Sequence, residues 1–504
     1  MHTPLFDWLK SRSCGVLLHP TSLPGDFGTG DIGQSAHRFL DWMSACGLNY
    51  WQMLPLGPTG FGDSPYQAYS SHALNPLLLA WEEFFYCGYL APEDLRPLMQ
   101  SDPRRVDFEY IRPIHDSICA KVLKKGLQDP AHERPFRSFL KAHSHWIEQW
   151  SLFMTFKKAS ENKPWYEWKK EWRDFENARQ IQLPASLLRI KKETAFLQYL
   201  LYTQWNRLRE ESALKGIRII GDIPIYVAPD SVDVWSNPKV FRLGKDHRPS
   251  CYAGVPPDYF NSDGQFWGNP IYDWKFLAET GYEWWMDRIR HSLTLFDVVR
   301  LDHFRAMEAF WCIPKKAQSA KQGTWQTGPG IAFFEKLKAS IPEARMILED
   351  LGLITPEVTT LRNQSGFPGL AVLQFAFGGG ADNFYLPHNL TPNSVVYTGT
   401  HDNDTSLGWY RTCGHQAQDH MRRYLRVDGS AASWDLIRSA WASVARLCVV
   451  PLQDFLSLGS EARFNTPGTA TGNWRWRCLE SQLQRFETES AAYVRELSAL
   501  YGRS

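Results

Sequence analysis

Three carboxylates carry the strongest chemical signal in the chain: Asp302, Glu349 and Asp402. Each ends a short apolar run and has further ionisable groups beside it: Arg300, His303 and Arg305 around Asp302, Asp350 after Glu349, and His401 before Asp402. In a barrel of parallel strands the catalytic groups stand at the C-terminal strand ends, so side chains remote in sequence converge. Chemistry at a glycosidic bond needs one carboxylate to attack or shield the anomeric carbon and one protonated carboxyl to donate to the departing oxygen. Asp302 is the expected nucleophile or base. Plainer readings stand beside this one. Asp302 with Arg300 could be a buried ion pair that only holds the fold. His401-Asp402-Asn403-Asp404 could be a turn held by Asn and Asp side chains, or a hard-metal site.

The elements that would position these groups follow a strand-then-helix rhythm. Apolar runs at 15–19, 50–54, 217–220, 296–301, 346–348, 371–375, 395–397 and 449–452 give eight strand candidates. Ala36, Phe39, Leu40 and Met43 fall at helical spacing, with Gly47 placed to stop that helix. Thr355-Pro356 supplies an N-cap followed by Pro at the first helical position. An amphipathic helix over 479–500 closes the ring. The pattern predicts an α/β protein: one (β/α)8 TIM barrel over 1–504, with large, mainly helical insertions after strands two and three. Charged helical patterns and recurring Trp (146, 150, 165, 168, 172) mark 84–216 as a helical insertion subdomain. A second insertion spans 228–275 and contains an aromatic loop, 254–270, whose Tyr259, Phe260 and Trp267 suit a cover over a groove. The Gly- and Pro-rich stretch 55–67 is a shaped loop from which Phe61, Asp63, Ser64 and Tyr66 could face a ligand. Asp222 stands at the end of strand three.

Composition narrows the function. Lys and Arg number 55 against 54 Asp and Glu, a formal charge of +1, so no overall field draws the protein to nucleic acid or anionic lipid. Nine cysteines are scattered and never form Cys-x-x-Cys, which argues against a disulfide framework or a thiolate metal site. No phosphate-cradling Gly loop of the nucleotide type occurs, so no cofactor is expected. The start MHTPLFDWLKSRSC lacks an apolar h-region, and no run of eighteen apolar residues follows, so a cytoplasmic protein with no membrane partner is expected. The 22 Trp residues fit either flat rings offered to a polyhydroxylated ligand or a Trp-rich core.

The motifs R-L-D-H-F-R (300–305), E-D-L-G (349–352), G-D-I-P-I-Y-V (221–227) and T-H-D-N-D-T (400–405) closely resemble the 4-α-glucanotransferases. This family, also called amylomaltase or disproportionating enzyme, is an offshoot of the α-amylase clan. The likeness extends to H-P-T-S-L-P (19–24), G-D-S-P-Y (62–66), the aromatic loop, S-E-A-R-F-N-T-P-G-T (460–469) and N-W-R-W-R (473–477), and so spans nearly the whole chain in its short form. The resemblance implies transfer of α-1,4-glucan segments to the 4-OH of an acceptor glucan or glucose, with maltooligosaccharides as substrates and no cofactor or metal. It implies Asp302 as nucleophile, Glu349 as general acid/base and Asp402 as stabiliser of the transition state. Arg300 and His401 would orient the nucleophile and sugar hydroxyls, and Asp222 would bind sugar near the cleavage point. Ser64, Tyr66, Tyr259, Phe260 and Trp267 would line the glucan groove. The chain departs from the family at Ala306, where Gly is common, at Leu348, where Ala is common, and at Phe61, where Tyr is frequent.

A retaining mechanism places the carboxyls of Asp302 and Glu349 about 5 to 5.5 Å apart. Two rivals share these residues: an α-amylase-like hydrolase on the same scaffold, and a non-catalytic glycan-binding protein that kept the barrel. The aromatic loop favours transfer, since rings that bind an acceptor also exclude water. No oligomeric state follows from the sequence.

Overall fold

The computed structural model describes residues 3–257, 263–469 and 471–504. Twelve strands form among them: β1 (Ser13–Leu17), β2 (Tyr50–Gln52), β3 (Arg218–Ile223), β4 (Cys251–Val255), β5 (Gln265–Pro270), β6 (Val298–Leu301), β7 (Ala309–Pro314), β8 (Thr324–Thr327), β9 (Met346–Leu348), β10 (Gly369–Val372), β11 (Ser394–Tyr397) and β12 (Leu447–Pro451). Eight of them close a parallel barrel in the order β1-β2-β3-β6-β9-β10-β11-β12, with β12 returning to β1. The strands are short apolar runs buried on both faces, as a parallel sheet covered by helices requires. Alternation divides their side chains. Ile220, Val298, Ile347, Val395 and Val449 fill the barrel, while their neighbours Ile219, Val299, Met346, Val396 and Cys448 pack outward with the helices. Within this interior Tyr397 Oη donates to Gln52 Oε1 at 2.7 Å.

Each of the eight expected strands is present, with displaced ends. Strand one runs 13–17, because Pro20–Ser22 begins a 3-10 turn. Strand three runs to Ile223, so Asp222 lies within it. The sixth was expected at 371–375; β10 ends at Val372, and Leu373–Gly378 coils into a 3-10 segment. Leu373, Ala376 and Phe377 are buried there, and Gln374 Nε2 donates to Asp404 O at 2.9 Å. An apolar run alone does not separate a strand from a buried helical turn. Gly47 ends helix Gln34–Cys46 in the left-handed region, φ 70°. Thr355 does stand at the N-cap of helix Pro356–Ser365, but its hydroxyl makes no capping bond.

Between β2 and β3 the long helices are Phe108–Gly126, Ser144–Ala159 and Ala185–Leu214. Trp81, Trp165, Trp168, Trp205 and Trp235 are fully buried, so the Trp richness serves mainly the core rather than a surface. The segment expected as a second, mainly helical insertion instead contributes β4 and β5 to an antiparallel sheet, β5-β4-β7-β8. The last six residues of the aromatic loop, 265–270, are thus strand β5. Gly and Pro in that stretch masked it, yet Gly254 is what allows the close pairing: a Cβ there would lie 2.2 Å from Gln265 O. Among the described residues no helix is long and apolar enough to cross a membrane.

The ring is sealed from the C-terminal side. The buried Arg503 donates to Ser13 O at 3.0 Å, Trp441 O at 2.8 Å, Ser443 O at 3.1 Å and Ala445 O at 2.9 Å, tying the start of β1 to the approach to β12. Helix Glu480–Leu500 lies against helix Gln34–Cys46, with Trp42 and Phe486 rings 5.5 Å apart. Gly221 on β3 is a second fixed point, since an added Cβ would sit 2.1 Å from the Phe296 ring. Gly221→Ala should therefore lower stability by about 1–3 kcal/mol, read as a lower urea midpoint.

Candidate active site

Arg300 on β6 pairs in register with Asp222 on β3, and both side chains are buried at the C-terminal ends of their strands. The Arg300 guanidinium bridges two carboxylates: Nη1 donates to Asp222 Oδ2 at 2.6 Å and Nη2 to Asp302 Oδ1 at 3.0 Å. Burial disfavours the cation, but Asp222, Tyr66, Asp302 and Glu349 outweigh it and hold the proton well above the usual Arg value. Tyr66 Oη donates to the same Asp222 Oδ2 at 2.7 Å and lies 2.9 Å from His401 Nε2. The hydroxyl has one proton, already given to Asp222. His401 must therefore donate through Nε2, leaving Nδ1 bare, and Nδ1 is buried without a protein partner among the described residues. The Tyr66 and His401 rings stack at 5.3 Å, with Trp474 6.1 Å from His401.

Glu349 follows β9 directly, and its carboxylate is held by two backbone amides, His303 N to Oε2 and Leu351 N to Oε1 at 3.1 Å. His303 reaches it from the left-handed region, φ 46° and ψ 51°, a conformation costing a non-glycine residue roughly 1–3 kcal/mol. Phe304 N donates to Glu349 O at 2.9 Å, fixing the same corner. Trp267 of β5 meets the His303 ring edge-on at 4.8 Å, which puts the aromatic strand next to this carboxyl.

Asp402 lies in the loop after β11. Thr400 donates from N and Oγ1 to Asn403 Oδ1 at 2.9 and 2.8 Å, so residues 400–403 are the side-chain-stabilised turn that one reading anticipated. That turn leaves Asp402 half exposed, 3.4 Å from His401 Nε2. Asn465 Nδ2 donates to its Oδ1 at 2.6 Å, and Arg463 Nη2 to its backbone O at 2.8 Å. Asp404 turns away to accept from Ser460 Oγ at 2.6 Å. Among the described residues these acids form no three-ligand group, so the hard-metal reading of 401–404 gains no support. Beneath the loop, buried Asp454 accepts from Thr398 Oγ1, Ser406 N and Ser406 Oγ at 2.6 to 2.7 Å and anchors both loop ends to β12.

The structure thus gathers Asp222, Arg300, Asp302, Tyr66, His401 and Asp402 into one linked network, with Glu349 held beside Asp302. Ser64 forms the turn that presents Tyr66, its Oγ accepting from Tyr66 N at 3.2 Å. Asp63, a possible ligand contact from the sequence, faces the other way and pairs with Arg112 of helix Phe108–Gly126. Tyr259 and Phe260 lie outside the described residues. Sequence reasoning assigned no part to Asn465, Arg463 or the backbone of His303. The first two stand in the motif 460–469, where a polar cluster in a Gly- and Pro-bearing loop was the available signal.

Burial pushes the Asp302 carboxyl from 3.8 to about 7; Arg300 opposes this, while Asp222 and Asp402 add to it. Glu349 is driven well above its usual 4.5, first by burial and then by the Asp302 charge, against Arg300. Asp302 has the direct guanidinium contact, so it is the acid that ionises first and Glu349 keeps the proton. His401 is lowered by burial and is neutral near pH 7. A buried Glu349 with a raised pKa beside an Arg-paired Asp302, at the rim of a parallel barrel, gives the class: a (β/α)8 protein whose site has the paired carboxyls that chemistry at a glycosidic bond uses.

Comparison with known proteins gives the family. A family model described as 4-alpha-glucanotransferase matches residues 18–482. The 4-alpha-glucanotransferase of Thermus thermophilus is 44% identical over 483 residues, covering 94% of this chain and 96% of its own, and that of Synechocystis is 42% identical, covering 98% and 99%. The structure of the Streptococcus agalactiae amylomaltase in complex with acarbose is similar at TM-score 0.93 and 34% identity, covering 98% of this chain and 100% of that one. The amylomaltase of Corynebacterium glutamicum shares the fold at TM-score 0.76 and 19% identity. The chain belongs to the 4-α-glucanotransferase family. It is an enzyme with that activity.

Asp222→Asn would remove a negative charge near Asp302 and release Arg300 toward it. Both changes favour the Asp302 carboxylate, so Asp302 should titrate below about 7 in this variant, followed by carbon-detected NMR of labelled Asp.

Proposed function

We propose that the chain moves α-1,4-glucan segments to the 4-OH of an acceptor glucan or glucose by retaining double displacement. Asp302 is the nucleophile, Glu349 the acid and then the base, and Asp402 a stabiliser of the transition state. The observation that carries this reading is the asymmetry between two neighbouring acids: Arg300 contacts Asp302 at 3.0 Å, while Glu349 is buried and kept protonated. Asp302 attacks the anomeric carbon as Glu349 protonates the leaving 4-oxygen, giving a glycosyl ester. Esterification removes the charge that helped to raise Glu349, so its pKa falls and it can deprotonate the incoming hydroxyl. The two backbone amides on Glu349 stabilise the carboxylate it becomes.

Asp402, positioned by Asn465 and Arg463, accepts hydrogen bonds from the 2- and 3-hydroxyls, and its half-open face suits that task. His401 Nδ1 and Asp222 Oδ1, both without a partner among the described residues, offer further acceptors to sugar hydroxyls. Trp267, packed on His303, flanks the groove and shields the ester from water. Acarbose, bound by the Streptococcus agalactiae relative, should occupy the same groove. The helical segment 84–216 braces the loop that carries Tyr66, through Arg112 and Asp63.

Incubation with maltotriose should yield glucose together with longer maltooligosaccharides. Reducing sugar that rises without longer products would instead mean hydrolysis. Glu349→Gln should reduce kcat roughly 10²- to 10⁴-fold while acarbose binding persists, measured by calorimetry. The pH profile of kcat/KM should be bell-shaped, with activity lost on the acid side as Asp302 takes up its proton near 7 and on the alkaline side as Glu349 loses its own.

A further inference from the structure

Outside the active site, three histidines from three separate elements meet: His72 in the loop after β2, His145 in the first turn of helix Ser144–Ala159, and His291 in helix Glu283–Leu295. One ring nitrogen from each lies within 4.8 Å of those of the other two. We infer that His72, His145 and His291 form a binding site for a divalent transition metal of the Zn2+ class, which staples the Tyr66 loop and the helical insertion to the barrel.

The hydrogen bonds around His291 fix its role. Tyr202 Oη donates its only proton to His72 O at 2.6 Å and lies 2.9 Å from His291 Nε2. His291 Nε2 must therefore donate, to Tyr202 Oη and, at 3.2 Å, toward His72 O. The proton is on Nε2 and the lone pair on Nδ1. A ligating imidazole with its other nitrogen donating to an oxygen has this arrangement. The ring nitrogens of His72 and His145 have no hydrogen-bond partner among the described residues, so both have a free lone pair. Nearby His143 is excluded, because its Nδ1 accepts from Trp146 Nε1 at 3.2 Å.

Tetrahedral bonds of 2.0–2.1 Å separate ligand nitrogens by about 3.3 Å, so the trio must close by at most about 1.5 Å. His145 is exposed and free to change rotamer, and its solvent side gives the ion both an entry path and a water as fourth ligand. Imidazole donors suit Zn, Co, Ni and Cu rather than Mg or Ca. Asp287, one turn before His291 and paired with Arg290, faces His145, and Arg288 faces His72 while bound to Pro224 O at 2.7 Å and Tyr272 Oη at 3.2 Å. His72 also lines a cavity of about 50 Å3 whose other wall includes Tyr66 and Asp222, so the staple acts on the loop next to the catalytic network.

The test uses the full chain treated with a chelator, then titrated with Co2+ or Zn2+ by calorimetry and visible absorption. Binding of one equivalent is expected, with the d–d bands of tetrahedral Co2+ and a higher thermal midpoint. His145→Gln, at an exposed position, should weaken binding roughly tenfold or more, remove the rise in midpoint and leave metal-free glucan transfer unchanged; His72→Gln should weaken binding likewise. His415→Gln, at another exposed histidine, should bind as the parent does. No saturable binding by the parent chain, or equal affinity in parent and His145→Gln, would overturn the assignment.

Discussion

The structure turns on one buried cation. Arg300 sits almost fully shielded from water between Asp222 and Asp302, at 2.6 and 3.0 Å. A lone guanidinium in that place would be strongly disfavoured, and so would either acid without it. Each member is held by what it touches, so the strands β3 and β6 are locked in register by the same contacts that orient Asp302. Tyr66 and His401 extend the network to β2 and β11, which places four of the eight strands in one electrostatic unit. Replacing the pair with apolar groups could preserve the fold, but it would remove the asymmetry that makes one acid charged and its neighbour neutral.

The barrel and its carboxylates were legible because the relevant signals are local: short β-branched runs, each ending in charge. Asp302 and Glu349 follow β6 and β9 directly, as their flanking residues suggested, whereas Asp222 lies within β3, near its end, and Asp402 in the loop after β11. What was not legible depends on pairing at a distance. The sheet β5-β4-β7-β8 joins segments on both sides of β6, and its strands hold Gly and Pro that mimic a loop. The direction of Asp63 was set by Arg112, far along the chain in a helix whose docking no local pattern reveals. Asn465 and Arg463 matter only because the loop after β12 folds back over Asp402. Backbone roles, such as the His303 amide on Glu349, have no residue-type signal at all.

The left-handed His303 shows where the fold accepts strain. Two amides on Glu349 lower its pKa, yet burial and Asp302 win and raise it. The amides thus give the Glu349 carboxylate partners ready for it, while burial and the Asp302 charge favour the protonated form. Trp267 packs on His303, so the strand that carries the aromatic residues and the turn that holds the acid form a single packed unit.

Arg503 gives the molecule a birth order. The first barrel strand pairs with a far later one, Ser13 with Leu447, and the Arg503 guanidinium clasps both. During synthesis the β12-facing edge of β1 stays bare until Leu447–Pro451 has left the ribosome, while the helices of 84–216 already have partners of their own. Until then that edge is open to pairing with other molecules.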